Sequence, residues 1–193
     1  MTILPYANRT AALSACLVLG LIGVACSGEE AYVEDSDSFL RVFAVRQDGQ
    51  EFDVVSLLSP DDAFTGGIPL VAQVGLARHS AHGLDGIKPA DFRPNPAFVN
   101  LLHNTIGAYG PQLDDLQSQA REIGEGLVYV VDRRTPASID ETSTEDIFGS
   151  FRADHGKLLE GSYDRNEEYR LLTANGFFQL HSDLRERLLE QVR

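Results

Sequence analysis

Two histidines three residues apart, in His79-Ser80-Ala81-His82, with Asp85 close behind, are the side chains best suited to chemistry. Imidazole nitrogens and a carboxylate form the donor set of zinc-type sites, and on a turn or helix this spacing lets both rings face one ion. A metal held by His79, His82 and Asp85 would serve a hydrolase or another metalloprotein. His103 is a candidate third imidazole, placed by the helical wheel at the edge of a polar face. Asp132-Arg133-Arg134 is a second candidate, directly after an apolar run. Strand ends carry catalytic acids and substrate-binding arginines, and they carry plain ion pairs more often. The chain has no G-x-S-x-G elbow, no P-loop, no dinucleotide-binding glycine pattern and no H-E-x-x-H. No catalytic residue is assigned.

The elements that position these groups read as α+β, with a mostly antiparallel sheet, a central helix pair and a C-terminal helix. Phe39–Arg46 and Glu51–Leu58 flank Asp48-Gly49, a strong hairpin signal. Pro60 to Gly67 reads as a loop, and Ile68–Leu76 fits either a buried strand or a helix. Arg78 to Pro94 reads as a long irregular loop, the kind that carries function. Asn95 is an N-cap with Pro96 at the first helical position. Phe98, Leu102 and Ile106 then share one face, and a second helix follows Gly110-Pro111. Leu127–Val131 is a continuous apolar run expected of a central strand. Asp154–Lys157 and Asn175-Gly176 mark two further hairpins, and Ser182 caps the last helix. Tyr163, Tyr169, Phe177 and Phe178 read as core and cross-strand pairs.

The N-terminus carries a targeting signal. Residues Met1 to Arg9 carry one positive charge, and Ala11 to Ala25 reads AALSACLVLGLIGVA, without charge. At about 15 residues this run is shorter than the roughly 20 that span a bilayer. Gly23-Val24-Ala25 leads to Cys26 and an abrupt polar switch, Ser27-Gly28-Glu29-Glu30. This segment resembles the type II signal peptide and lipobox of bacterial lipoproteins, with Gly23 where Leu is commonest. Leu13-Ser14-Ala15-Cys16 is the rival lipobox, but it leaves too short an apolar run after Arg9. The resemblance implies cleavage after Ala25, lipid on Cys26 and anchorage in the cell envelope. For a Gram-negative host the same resemblance implies, from Ser27 after the Cys, the outer membrane facing the periplasm. Residues 26–38 then form the lipidated Cys and a flexible acidic tether, and residues 39–193 a single globular domain.

Composition limits the partners. The chain is 43% hydrophobic and 23% charged, enough to build a core. Its formal charge of −13 opposes binding to phosphate backbones, so nucleic acid is not an expected partner. Both cysteines, Cys16 and Cys26, lie in the N-terminal apolar stretch, which leaves the domain no disulfide. The expectation is an envelope-tethered binding module for another envelope protein, cell-wall material or a small ligand. The rivals are the His-x-x-His metalloprotein and a structural spacer.

Overall fold

A computed structural model describes residues 2–3, 32–33, 39–47, 50–80, 82–135 and 138–192. The expected leader, Cys16, Cys26 and the tether lie outside the described residues, apart from two short strands, and so does the Asp48-Gly49 turn. The chain divides into two compact units, Met1–Val99 with Val192–Arg193, and Asn100–Gln191. The division falls inside a helix, so no change of composition marks it.

The first unit is an antiparallel meander. β1 (Thr2–Ile3) and β2 (Tyr32–Val33) both pair with β3 (Arg41–Gln47). β3 pairs with β4 (Gln50–Ser56) in the expected hairpin, with Gln47 opposite Gln50. The loop expected at Pro60 is instead helix α1 (Pro60–Gly66). Ser59 Oγ accepts the Asp62 N–H, Pro60 fills a position that needs no donor, and Asp61 and Asp62 face the helix dipole. Those turn-forming residues were the start of a helix. The ambiguous apolar run resolves into a 3-10 turn followed by β5 (Gln73–Arg78). β6 (Phe92–Pro94) closes the sheet at the end of the long loop, which also holds two 3-10 turns. Phe43, Val45, Val54, Val55 and Val74 are fully buried between these strands.

Helix α2 (Pro96–Tyr109) begins as expected, with Asn95 Oδ1 accepting the Ala97 N–H at 3.0 Å. In the second unit, α3 (Asp114–Ile123) stops at Gly124, whose φ of +75° a side chain would resist. β7 (Gly126–Val131) follows at once and pairs with β8 (Ile147–Asp154). β9 (Lys157–Leu158) and β10 (Asp164–Arg165) also pair with β8. The sheet order β10-β8-β7 makes β7 an edge strand, where the apolar run had suggested a central one. β11 (Leu172–Thr173) and β12 (Gly176–Phe177) pair around Ala174-Asn175, one residue earlier than the Asn175-Gly176 signal, with Gly176 at φ +95°. Helix α4 (Ser182–Val192) is capped by His181 and not by Ser182. The His181 carbonyl accepts from Arg185 N, and its Nδ1 accepts from Asp183 N at 3.2 Å. The architecture is α+β with antiparallel sheets. Among the described residues no helix is long and apolar enough to cross a membrane.

Candidate functional site

The His79 loop sits in the first unit. His79 Nδ1 lies 2.7 Å from Oδ1 of Asp53, a buried carboxylate on β4 that also accepts the Ser80 N–H at 2.8 Å. Asp53 thereby sets the ring's orientation and places the proton on Nδ1. Nε2 is turned toward Glu51, whose Oε2 lies 3.9 Å away. A depression of about 650 Å³ shares Glu51 and adds Phe52, Leu76, Arg78, Asp91 and Arg93. His82 and Asp85 are both exposed, at the start of the 3-10 turn Gly83–Gly86. The structure brings His79 to Asp53 and Glu51, but not to His82 and Asp85 within ligand reach of one ion. Among the described residues the trio with that spacing is Glu125, Asp154 and His155, all exposed. His155 Nδ1 is already engaged by Asp154 Oδ1 at 2.6 Å.

His103 is buried, not at a polar edge. Its Nδ1 lies 2.8 Å from the Tyr163 hydroxyl, which donates to the Phe148 carbonyl at 3.1 Å. Burial first, then the Arg165 charge, lowers the His103 pKa to about 4, with Glu167 opposing. Burial likewise pushes the Tyr163 hydroxyl up. At neutral pH this pair carries no charge.

Asp132 and Arg134 enter a closed polar cluster in the second unit. Arg134 is inserted with its side chain 1% exposed. Its Nη1 donates to the carbonyls of Leu171 and Gly176, and its Nη2 to those of Arg170 and Glu145. Its Nε lies 2.9 Å from Asp146 Oδ1 but outside hydrogen-bond geometry. Asp132 accepts from the backbone N–H of Arg134 and Gln179 and from Tyr169 Oη. Asp146 accepts from Thr135, Thr173 and Asn175. Two buried carboxylates face one guanidinium, so one negative charge is in excess. Burial raises the Asp132 pKa, only partly offset by Arg134. Burial also works upward on Asp146, but hydrogen bonds from Asn175 and Thr135, with the Arg134 charge, outweigh it and hold it low. Every carboxylate oxygen is engaged, and none is exposed to meet a substrate. This cluster fastens residues 170–179 to the end of β7. Asp146, 11 or more residues from its side-chain partners in the chain, gave no sequence signal beyond a polar loop.

An accessible feature of the second unit is a groove of about 630 Å³, within the size range of ligand sites. Its walls include Gln119 and Ile123 of α3, Leu127 and Tyr129 of β7, and Ile139 and His181. Ile123 and Leu127 are each 46% exposed, Tyr129 40% and Ile139 39%. Tyr129, Val130 and Val131 are consecutive and all line it. Side chains of successive strand residues point to opposite faces, so a cavity touching all three runs along the strand's edge. At one end Arg133 Nη2 meets Asp115 Oδ2 at 3.2 Å. His181, with Nδ1 occupied as an acceptor, carries its proton on Nε2. Sequence reading missed the groove because its apolar walls look like core residues.

No family model matches the chain, and neither a curated protein nor a solved structure matches it. The fold and the groove therefore stand on their own geometry.

Proposed function

We propose that the chain is an envelope-tethered binding module, anchored through lipid on Cys26, whose second unit takes a ligand with an apolar surface into its groove. The observation that carries this reading is the edge groove itself, where four large apolar side chains stay open to water beside polar groups. Exposed apolar patches rimmed by polar residues mark interaction sites. A pure spacer needs no such groove.

The test uses the full-length chain in lipid nanodiscs with 2-naphthol as a small apolar probe. Methyl NMR signals of Ile123, Leu127 and Ile139 shift saturably, and Leu127→Glu or Ile139→Glu suppresses the shift. Groove methyls that do not respond overturn the reading. For the anchor, radiolabelled palmitate is incorporated by the parent chain and not by Cys26→Ser. Label retained in that variant moves the anchor away from Cys26.

The Asp53–His79 bond favours a second reading, in which His79 Nε2 ligates a zinc-type metal with Glu51. A carboxylate bonded to the far nitrogen is the usual support of a metal-bound imidazole. Titration of the full-length chain with zinc tests it, since binding unaffected by His79→Ala rejects it.

A further inference from the structure

We infer that the groove receives an extended polypeptide segment, which adds to the outer edge of β7 as a new strand. This rests on the binding reading above and gives its ligand a chemical class.

The argument starts from the backbone. β7 ends the order β10-β8-β7, and in an antiparallel pair every second residue turns its N–H and C=O away from its neighbour. Among the described residues nothing bonds to the outward backbone groups of Leu127–Val131. The open stretch has a definite end. Asp132 N still faces the β8 side, bonding Asp146 O, whereas Arg133 N turns outward to Gln179 O, so the outer edge closes where the buried cluster begins. Proteins guard exposed strand edges with lysines, prolines or very short strands. Gly126-Leu127-Val128-Tyr129-Val130-Val131 has no charge and no proline over its six residues. Its one irregularity, between Val130 and Val131, lies at the far end.

The side chains agree. Gln119 and Ile123 flank the groove from α3, while Leu127 and Tyr129 flank it from β7. A strand seated between them would send alternate side chains to each wall, as strand addition requires. A compact apolar molecule would cover the same walls and leave the outward N–H and C=O groups unmatched. Only another backbone offers donors and acceptors at the right repeat. Six residues extended cover about 20 Å.

Charge selects the occupant. Asp115 already neutralises Arg133 at one end, and exposed Glu125 precedes the strand at the other. The chain carries −13, so a second copy would add like charge, whereas a segment with apolar residues in alternation and Lys or Arg at its ends is attracted. The occupant is such a segment of another protein.

The chain has no Trp, so a Trp in the probe reports alone. The probe is a synthetic decapeptide alternating Val and Thr around one Trp, with Lys at both ends, added to the full-length chain in nanodiscs. The expected result is a saturable blue shift of the Trp emission, with hydrogen exchange slowed at the β7 amides. Methylating alternate peptide nitrogens in one frame removes the edge bonds and weakens binding by at least about tenfold, while the other frame binds like the parent. Equal binding by both methylated frames, or no binding by the peptide while 2-naphthol still enters, overturns strand addition and leaves the binding reading standing. Failure of both probes overturns both. A concentration-dependent dimer that protects the same amides without peptide overturns the assignment to a foreign segment in favour of a second copy.

Discussion

Residues 126–135 are a single short stretch with two opposite characters. From Asp132 to Thr135 the chain is closed: every backbone N–H is bonded and the Asp132 carboxylate and Arg134 guanidinium are buried among partners, with Arg133 alone turned out to solvent. From Gly126 to Val131 the apolar strand is open along one edge, with Leu127 and Tyr129 in water. The polar half is buried and the apolar half is partly exposed, the reverse of what hydrophobicity alone dictates. A buried charge persists only when partnered on all sides, and an exposed apolar edge persists in use when something else covers it. The closed half therefore belongs to stability and the open half to recognition, and substitutions in the two should behave differently.

The largest effect is expected at Arg134. Arg134→Met removes the donors to four carbonyls and leaves Asp132 and Asp146 uncompensated, for a loss of about 3–5 kcal/mol. Urea unfolding followed by circular dichroism measures it. A variant as stable as the parent would break the assignment of the cluster to stability.

Next comes His103. Its pKa falls from 6.5 to about 4 on folding, so the folded chain binds fewer protons between those values. The stabilising contribution is complete above pH 6.5 and lost as pH falls toward about 4, on the order of 3 kcal/mol in all. In His103→Gln the midpoint of thermal unfolding should drop less between pH 7 and pH 4.5 than in the parent. Asp132 and Asp146 act in opposite directions, Asp132 above pH 3.8 and Asp146 below it. The raised carboxyl favours folding on acidification, while the lowered one loses its contribution as pH falls below 3.8.

A smaller change is expected at Asp53→Asn. The variant keeps an acceptor for Ser80 N–H but loses the charge that strengthens the bond to His79, at about 1–2 kcal/mol by denaturant unfolding. The smallest change in stability comes from the open half. Leu127→Lys places a charge on a side chain already exposed, so stability should move by less than about 0.5 kcal/mol. It should still abolish 2-naphthol and peptide binding. A large loss of stability there would show that the strand edge belongs to the core, and would erase the contrast between the two halves.

Local chemistry in the sequence was sufficient for several elements. Asn95-Pro96 opened α2, and Asp154 to Lys157 turned the chain between β8 and β9, with His155 at φ +50° and Gly156 at +74°. It misled where one signal serves two outcomes. Pro60-Asp61-Asp62 suits a turn and equally suits the first turn of a helix once Ser59 caps it. Ser182 looked like a cap, but His181 held that position by one residue. The histidine site was half legible: His79 stood out, whereas its partner Asp53 lies 26 residues away on β4.

The sequence by itself determined the α+β character, the Asn95 cap, the hairpins, the acidic balance and the expectation of a lipidated Cys26, because each depends on residues close together in the chain. Only the tertiary structure decided that β7 is an edge, that Arg134 is buried between Asp132 and Asp146, and that Ile123, Leu127, Tyr129 and Ile139 line one groove. Those outcomes depend on which strands pair and which face each side chain meets. An apolar residue reads the same in a sequence whether its neighbour is a core or an opening.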